Sequence, residues 1–296
     1  MKKLTRSDVI TLVKEFMRRF NQKNMAAFAG SATFFFVMAL IPTLIVLSSF
    51  LPYTSVTEEN LIQAVTNVTP WFVDQFATQL IDEAYNQAIT ILPVSVIVMI
   101  WSGAVGMLSL IRGLNAMNDV QEKRNYFLLR GIAAVYTLIM LILIIFMLVS
   151  LAFGSVLRDM YSQTFRHLGF FEALTLPFRH LLGLGVSILF FAVMYTFIPG
   201  KRQRFRRQLP GAVFAGLVWS IFSLLLSVYA GSLNGYSLYG SLAVPVIVMF
   251  WLYICIYIFL LGAFLNKFIW EVVIDFFKTG VINQEITVQE WDGHKL

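Results

Sequence analysis

The chain has one cysteine, Cys255, and three histidines, His167, His180 and His294, among 296 residues. A lone thiol excludes an intramolecular disulfide, and its position inside an apolar run marks it as a buried, inert side chain rather than a nucleophile. The histidines have no metal-ligand spacing, and a zinc site using His167 and His180 would need two more ligands. Charge is scarce as well: Asp, Glu, Lys and Arg make up 13% of the chain. Residues 52–89 contain no cation at all, although they carry Glu58, Glu59, Asp74, Asp82 and Glu83. Those carboxylates read as a solvated acidic face rather than an acid–base pair. The expectation is therefore no catalytic residues, no metal site, no cofactor and no enzymatic activity.

What the chain does have is apolar length. Hydrophobic residues make up 58% of it, and the mean hydropathy is +0.77. Stretches without Asp, Glu, Lys or Arg run from Asn24 to Thr57, Ala84 to Ile111, Gly131 to Leu157, Leu181 to Gly200 and Gln208 to Asn266. A helix needs about 20 apolar residues to cross a bilayer core of about 30 Å, so the last stretch accommodates two crossings. The reading is an all-α polytopic membrane protein with six transmembrane helices near 26–50, 90–111, 131–155, 180–199, 209–230 and 242–265. Helices are favoured over a barrel because each run far exceeds a ~10-residue alternating strand, and a helix satisfies its own backbone polar groups in lipid.

Cations resist translocation and so set orientation. A six-span topology places the N-terminal segment, the 112–130 connection, the 200–208 loop and the C-terminal tail on one side, with 19 of the 22 Lys and Arg. Both termini are therefore expected in the cytoplasm. The division is a cytoplasmic amphipathic segment over 1–25, one six-helix domain over 26–266 that includes an external amphipathic segment over 52–89, and a cytoplasmic tail over 267–296. Over 7–20, Val9, Leu12, Val13, Phe16 and Phe20 recur at helical spacing between Lys14, Arg18 and Arg19, which predicts an interfacial helix capped by Ser7 or Thr5. In the external segment Leu61, Val65, Val68, Phe72, Phe76 and Leu80 predict two short amphipathic helices, the second starting at Thr69-Pro70. The tail beyond Phe277 is polar and non-periodic.

The densest basic run is "PGKRQRFRRQLPG" (199–211), with Lys201, Arg202, Arg204, Arg206 and Arg207 and no acid. Between two spans this is a topology determinant lying against anionic phospholipid headgroups, each cation contributing ~1 kcal/mol. Nucleic acid is not an expected partner, since one Phe205 in a short loop supplies no stacking platform. The glycines of "AGSLNGYSLYGS" are followed by no Lys, so they form no phosphate cradle.

No span interior holds an ionisable Asp, Glu, Lys, Arg or His, which argues against a proton relay. A transported solute would have to meet neutral groups such as Ser31, Thr33, Ser102, Ser220, Ser223 and Tyr253. Trp101, Trp219 and Trp251 lie about ten residues inside their spans, and are candidates either for lining a cavity or for filling the core. Pro42 and Pro245 are candidate helix breaks, which in transporters lie near the midplane.

Four strings carry a resemblance: "NMAAFAGSATFFFVMALIPTLIV" (24–46), "LNAMNDV" (114–120), "IPGKRQRFRRQLPGAVFAGLVW" (198–219) and "YGSLAVPVIVMFWLYICIYIFLLGAFLN" (239–266). In order and nearly full length, the chain resembles the YihY/BrkB family of bacterial inner-membrane proteins. The most specific part, Y-G-S-L-A followed by L-L-G-A-x-x-N, adds Tyr239 and Gly240 to the candidate residues. The resemblance implies a six-helix membrane protein without an agreed biochemical activity. Serum resistance, solute export and lipid or lipopolysaccharide translocation have been suggested for members, and older ribonuclease labels look misplaced. The family usually has Glu after L-L-G-A, where this chain has Phe264, so a mechanism built on that carboxylate does not carry over. The function expected is transport of a small solute or a lipid across the bilayer, with a non-transporting scaffold or envelope-integrity role as the alternative and a membrane-bound ribonuclease disfavoured. Nothing in the sequence fixes the oligomeric state.

Overall fold

The computed structural model describes residues 6–50, 59, 62–63, 66, 74–142, 169–232 and 243–273, and these residues are helical apart from short connections. Helix α1 covers Arg6–Asn21, α2 Met25–Phe50, α3 Asp74–Met117, α4 Tyr126–Ile142, α5 Gly169–Phe197, α6 Phe205–Ser232 and α7 Ala243–Phe268, the last running into a π-helical turn at Ile269–Val273. Four of them contain stretches long and apolar enough to cross a membrane: Met25–Leu47, Leu92–Met117, Phe205–Leu226 and Pro245–Val273. Two shorter apolar helices, Tyr126–Ile142 and Gly183–Phe197, accompany them. Tyr239, Gly240 and the tail beyond Val273 lie outside the described residues.

The external segment differs from expectation. Its second helix is not separate: from Asp74 it runs straight into the span as α3, 44 residues long. At 1.5 Å per residue that is about 66 Å along the helix, twice the bilayer core, so the polar N-terminal part of α3 continues past the apolar part without a break in the helix, with Pro93 inside it. Asp82 and Glu83 disguised this continuity, because they break the apolar pattern without breaking a helix. α1 is helical from the first described residue, Arg6, so Ser7 stands inside it and is not its cap; Thr5 is outside the described residues. α2 runs unbroken through Pro42. Pro245 is the third described residue of α7, and the residues before Ala243 lie outside the described residues.

Helices in lipid gain little from burying apolar surface against one another, so small residues and interhelical hydrogen bonds decide where they meet. α2 and α3 are the most extensively packed pair, followed by α6 on α7 and α5 on α6. Ala29 and Ala32 of α2, Ala104 and Ile111 of α3, and Leu260 and Ala263 of α7 are almost fully buried. The outward faces are apolar: Ile97 is 69% exposed, Leu224 66% and Phe127 80%. A surface of this kind is matched to lipid, not to water.

α1 uses two adjacent faces. Phe16 and Phe20 pack edge-on against Phe264 of α7, and Phe16 also meets Phe268, with ring centroids 5.2–6.0 Å apart. Val9, Ile10, Val13 and Met17 remain exposed beside that contact. Phe264 thus serves the docking of α1.

Candidate functional site

One end of the bundle collects the polar residues. There the α1–α2 turn, the end of α3, the α5–α6 turn and the end of α7 touch one another. α3 stops where Asp119 adopts a left-handed conformation (φ 50), which Asp tolerates better than most residues. A helix end leaves carbonyls without amides. Lys23 reaches in from the α1–α2 turn to donate to Ala116 O at 2.9 Å, and Lys267 from α7 donates to Asn118 O at 2.8 Å. Both ammonium groups also bond the Asp119 carboxylate, Lys267 at 3.0 Å. The pairing continues from Lys267 to Glu271 at 3.2 Å, from Glu271 to Arg19 at 3.7 Å and from Arg19 to Glu15 at 2.6 Å. Three cations and three carboxylates therefore alternate from α1 to α3. Burial pushes Asp119 up, but Lys23 and Lys267 together outweigh it and hold its carboxyl below the usual range.

A second cluster fixes the α5–α6 turn. Asn115 of α3 accepts from the Gly200 amide at 2.7 Å and donates to Glu122 at 2.7 Å. Glu122 takes a two-pronged bond from Arg124, each arm 2.7 Å, which holds its carboxyl at about 2 against the upward push of burial.

A third set joins α6 to α7. Pro210 has no amide to give in the first turns of α6, and Asn266 and Trp270, one turn apart on α7, engage the backbone around it. Asn266 Oδ1 accepts from the Gly211 amide at 2.6 Å, and its Nδ2 donates to Gln208 O and Oε1, both at 3.0 Å. Trp270 Nε1 donates to Arg207 O at 3.0 Å. Gly211 and Gly262 allow this approach: a Cβ on Gly211 would overlap Gly262 O, and one on Gly262 would lie 2.7 Å from Gly211 O. Tyr195 of α5, fully buried, donates to Phe259 O at 2.7 Å beside the same crossing.

The five cations of the basic run are exposed on this end, and none forms an ion pair among the described residues. Arg202 lies over Phe197, 4.8 Å from the ring centroid, and Arg207 over Trp270 at 5.1 Å.

The mid-span candidates do not converge. Trp101 is 56% exposed, with Arg130 5.9 Å from its ring. Trp219 donates to Cys255 Sγ at 3.1 Å and Trp251 to Ser223 Oγ at 3.3 Å, so both bridge α6 and α7. Ser31 and Ser109 bond at 2.8 Å between α2 and α3. Thr33, Thr43, Ser109, Thr137, Thr196 and Ser220 each bond a carbonyl four residues back on their own helix. Ser102 of α3 is the exception: its hydroxyl is fully buried and has no partner among the described residues. No group of three His, Cys, Asp or Glu that could hold a metal ion occurs among the described residues.

Lipid-matched helices tied together by asparagine, glycine and ion-pair contacts at one end define a polytopic α-helical membrane protein. The chain belongs to the family described as Virulence factor BrkB, whose profile matches residues 16–274. It is similar to the ribonuclease-like protein YfkH of Bacillus subtilis (strain 168), 25% identical over 263 residues that cover 87% of this chain and 94% of the relative. It is also similar to the UPF0761 membrane proteins IL2447 of Idiomarina loihiensis, at 27% identity over 86% of this chain and 89% of the relative, and NTHI0384 of Haemophilus influenzae, at 23% over 84% and 91%. No solved structure matches the chain.

Proposed function

We propose that this protein is a six-span inner-membrane translocator of a lipid or a small neutral solute, with both termini in the cytoplasm. The observation that carries the reading is the Ser102 hydroxyl. Ser95, Ser102 and Ser109 recur every seven residues and so share one face of α3, all nine-tenths or more buried. An unbonded buried hydroxyl costs about 1–3 kcal/mol, a cost that a passing hydrogen-bonding group relieves. On the neighbouring α2, Pro42 gives no amide to the carbonyl of Met38, which leaves one further neutral acceptor. Neutral hydroxyls and carbonyls suit a headgroup ester or a polyol, whereas a permeating ion would ask for charge or a dense carbonyl ring.

The orientation rests on the cation count and on the contacts at the charged end. Among the described residues α2, α4 and α6 begin at that end and α3, α5 and α7 finish there, which supports a shared side for the cation-bearing segments. The reading makes the protein neither an enzyme nor a nucleic-acid binder: the ion pairs at that end are capping contacts, and the ribonuclease-like label of YfkH attaches to that relative alone.

A scaffold role is the second reading, favoured by the way Trp219 and Trp251 close α6 on α7. Vesicles separate the two. Purified protein is reconstituted with a fluorescent phospholipid, and outward-facing label is quenched by dithionite; a parallel arm follows efflux of labelled glycerol. Translocation of either above empty vesicles, slowed by Ser102→Leu, is the expected result. A folded protein that moves neither leaves the scaffold reading.

A further inference from the structure

The sequence treats the five cations at 201–207 as interchangeable charge. The structure separates them, and the argument rests on the reading above that this turn lies on the cytoplasmic bilayer surface.

The turn is built, not slack. Gly200 N is held by Asn115 Oδ1 at 2.7 Å, Gln203 N by Thr196 O at 3.1 Å and Arg207 N by Arg204 O at 2.9 Å. Arg207 O is held by Trp270 Nε1 at 3.0 Å, and Gly211 N by Asn266 Oδ1 at 2.6 Å. On this frame two guanidinium groups are seated on aromatic faces, Arg202 on Phe197 and Arg207 on Trp270. A guanidinium held over a ring keeps N–H donors available, and those donors match two phosphate oxygens. Elsewhere at this end Arg18, Arg19, Arg124, Lys23 and Lys267 are all bonded to carboxylates. Arg202 and Arg207 are not.

Apolar neighbours say which phosphate. Phe197, Phe205, Leu209 and Val213 are 37–47% exposed around the turn, on the end of α5 and the first turns of α6. Exposed apolar side chains beside free cations place those cations at the boundary between hydrocarbon and headgroups, where a soluble anion has no advantage.

We infer that Arg202 and Arg207 are the phosphate-recognising pair of an anionic-phospholipid site, and that Lys201, Arg204 and Arg206 supply charge without fixed geometry. A lysine in place of a stacked arginine keeps the charge and loses the fork, so charge and geometry can be tested apart.

The experiment measures binding of short-chain phosphatidylglycerol to the detergent-purified full chain by native mass spectrometry and thermal shift. Arg202→Lys with Arg207→Lys is expected to weaken binding about tenfold, the loss of one well-formed charged bond. Arg204→Lys with Arg206→Lys changes it less than about twofold. Phe197→Leu with Trp270→Leu reproduces the loss with every cation in place. Equal effects from the two lysine pairs, or none from either, overturn the inference in favour of diffuse charge. Competition by millimolar inorganic phosphate overturns the lipid assignment. A reporter fused after Arg207 is read alongside: an external reporter removes the underlying orientation, whereas a cytoplasmic reporter with unchanged binding removes this inference alone.

Discussion

Replacing Gly211 by Ala tests whether the α6–α7 crossing holds the charged end together. The added Cβ would overlap Gly262 O and lie 2.6 Å from Asn266 Nδ2. Backbone cannot swing aside as a side-chain tip can. An ordinary carbon contact needs about 3.5 Å, so the Asn266 amide must give by about 0.9 Å, and the Gly262 carbonyl, nearer still and fixed in the backbone, requires the helices to part by more than that. Overpacking of this kind costs about 1–3 kcal/mol. Parting also stretches the three bonds of Asn266, worth about 0.6 kcal/mol each by the average for interhelical bonds in membranes. Against this, Ala in a helix gains about 1 kcal/mol over Gly, which leaves a net loss of about 2–4 kcal/mol. Gly30 of α2 is the control, because no described atom lies within 4 Å of its Cβ position. Stability is read from reversible unfolding in mixed micelles against the mole fraction of denaturing detergent. Gly30→Ala should be neutral or stabilising. If Gly211→Ala falls within about 0.5 kcal/mol of the parent, the crossing is not a tight contact and the account of Asn266 fails with it.

Reporters fused after Arg207 and at Leu296 should be cytoplasmic and one within 57–88 external; an external C-terminus would reverse the orientation. Purified protein should show no metal-dependent RNA cleavage, and cleavage abolished by a point substitution here would reveal a reactive set at the charged end. Glu122 is depressed from 4.5 to about 2, so its contribution is full above pH 4.5 and is lost as the pH falls toward 2. Unfolding followed from pH 6 to pH 2.5 should show an acid-side decline that Glu122→Gln flattens, and an unchanged slope would mean that Arg124 does not hold this carboxylate in solution.

The apolar helices were legible because bilayer thickness demands long uncharged runs, and no other fold needs them. The run at 26–50 became α2 almost residue for residue, and 209–230 falls inside α6. The helix of the external segment was legible from Phe76 and Leu80, but its continuity with the span was not, since Asp82 and Glu83 interrupt the apolar pattern as a loop would. The ties at the charged end were hidden for another reason. Asn115 meets Gly200 from 85 positions away and Asn266 meets Gly211 from 55, and neither partner is announced by local pattern. A signal was present all the same: "LNAMNDV" and "LLGAFLN", quoted only for their resemblance, carry Asn115, Asp119, Gly262 and Asn266. Asparagine and glycine at the polar rim of an apolar helix mark a place where another backbone comes close. Trp219 and Trp251 were chosen for depth alone, and depth says nothing about which way a ring points.

The lysines that cap α3 have a history as well as a position. Lys23 is made 96 residues before Asp119, the carboxylate it will bond. At about 5–20 residues per second that is an interval of about 5–20 s in which α2 enters the membrane with Lys23 unneutralised. On the proposed orientation, the ammonium group is during that interval one of the charges that keep the N-terminal segment inside, before the carboxylate it will bond has been made. Once Asp119 and then Lys267 emerge, the same charge becomes a stitch between finished helices. On that orientation a substitution at Asp119 is expected to damage only the completed protein, whereas one at Lys23 bears first on how the chain enters and later on how it closes.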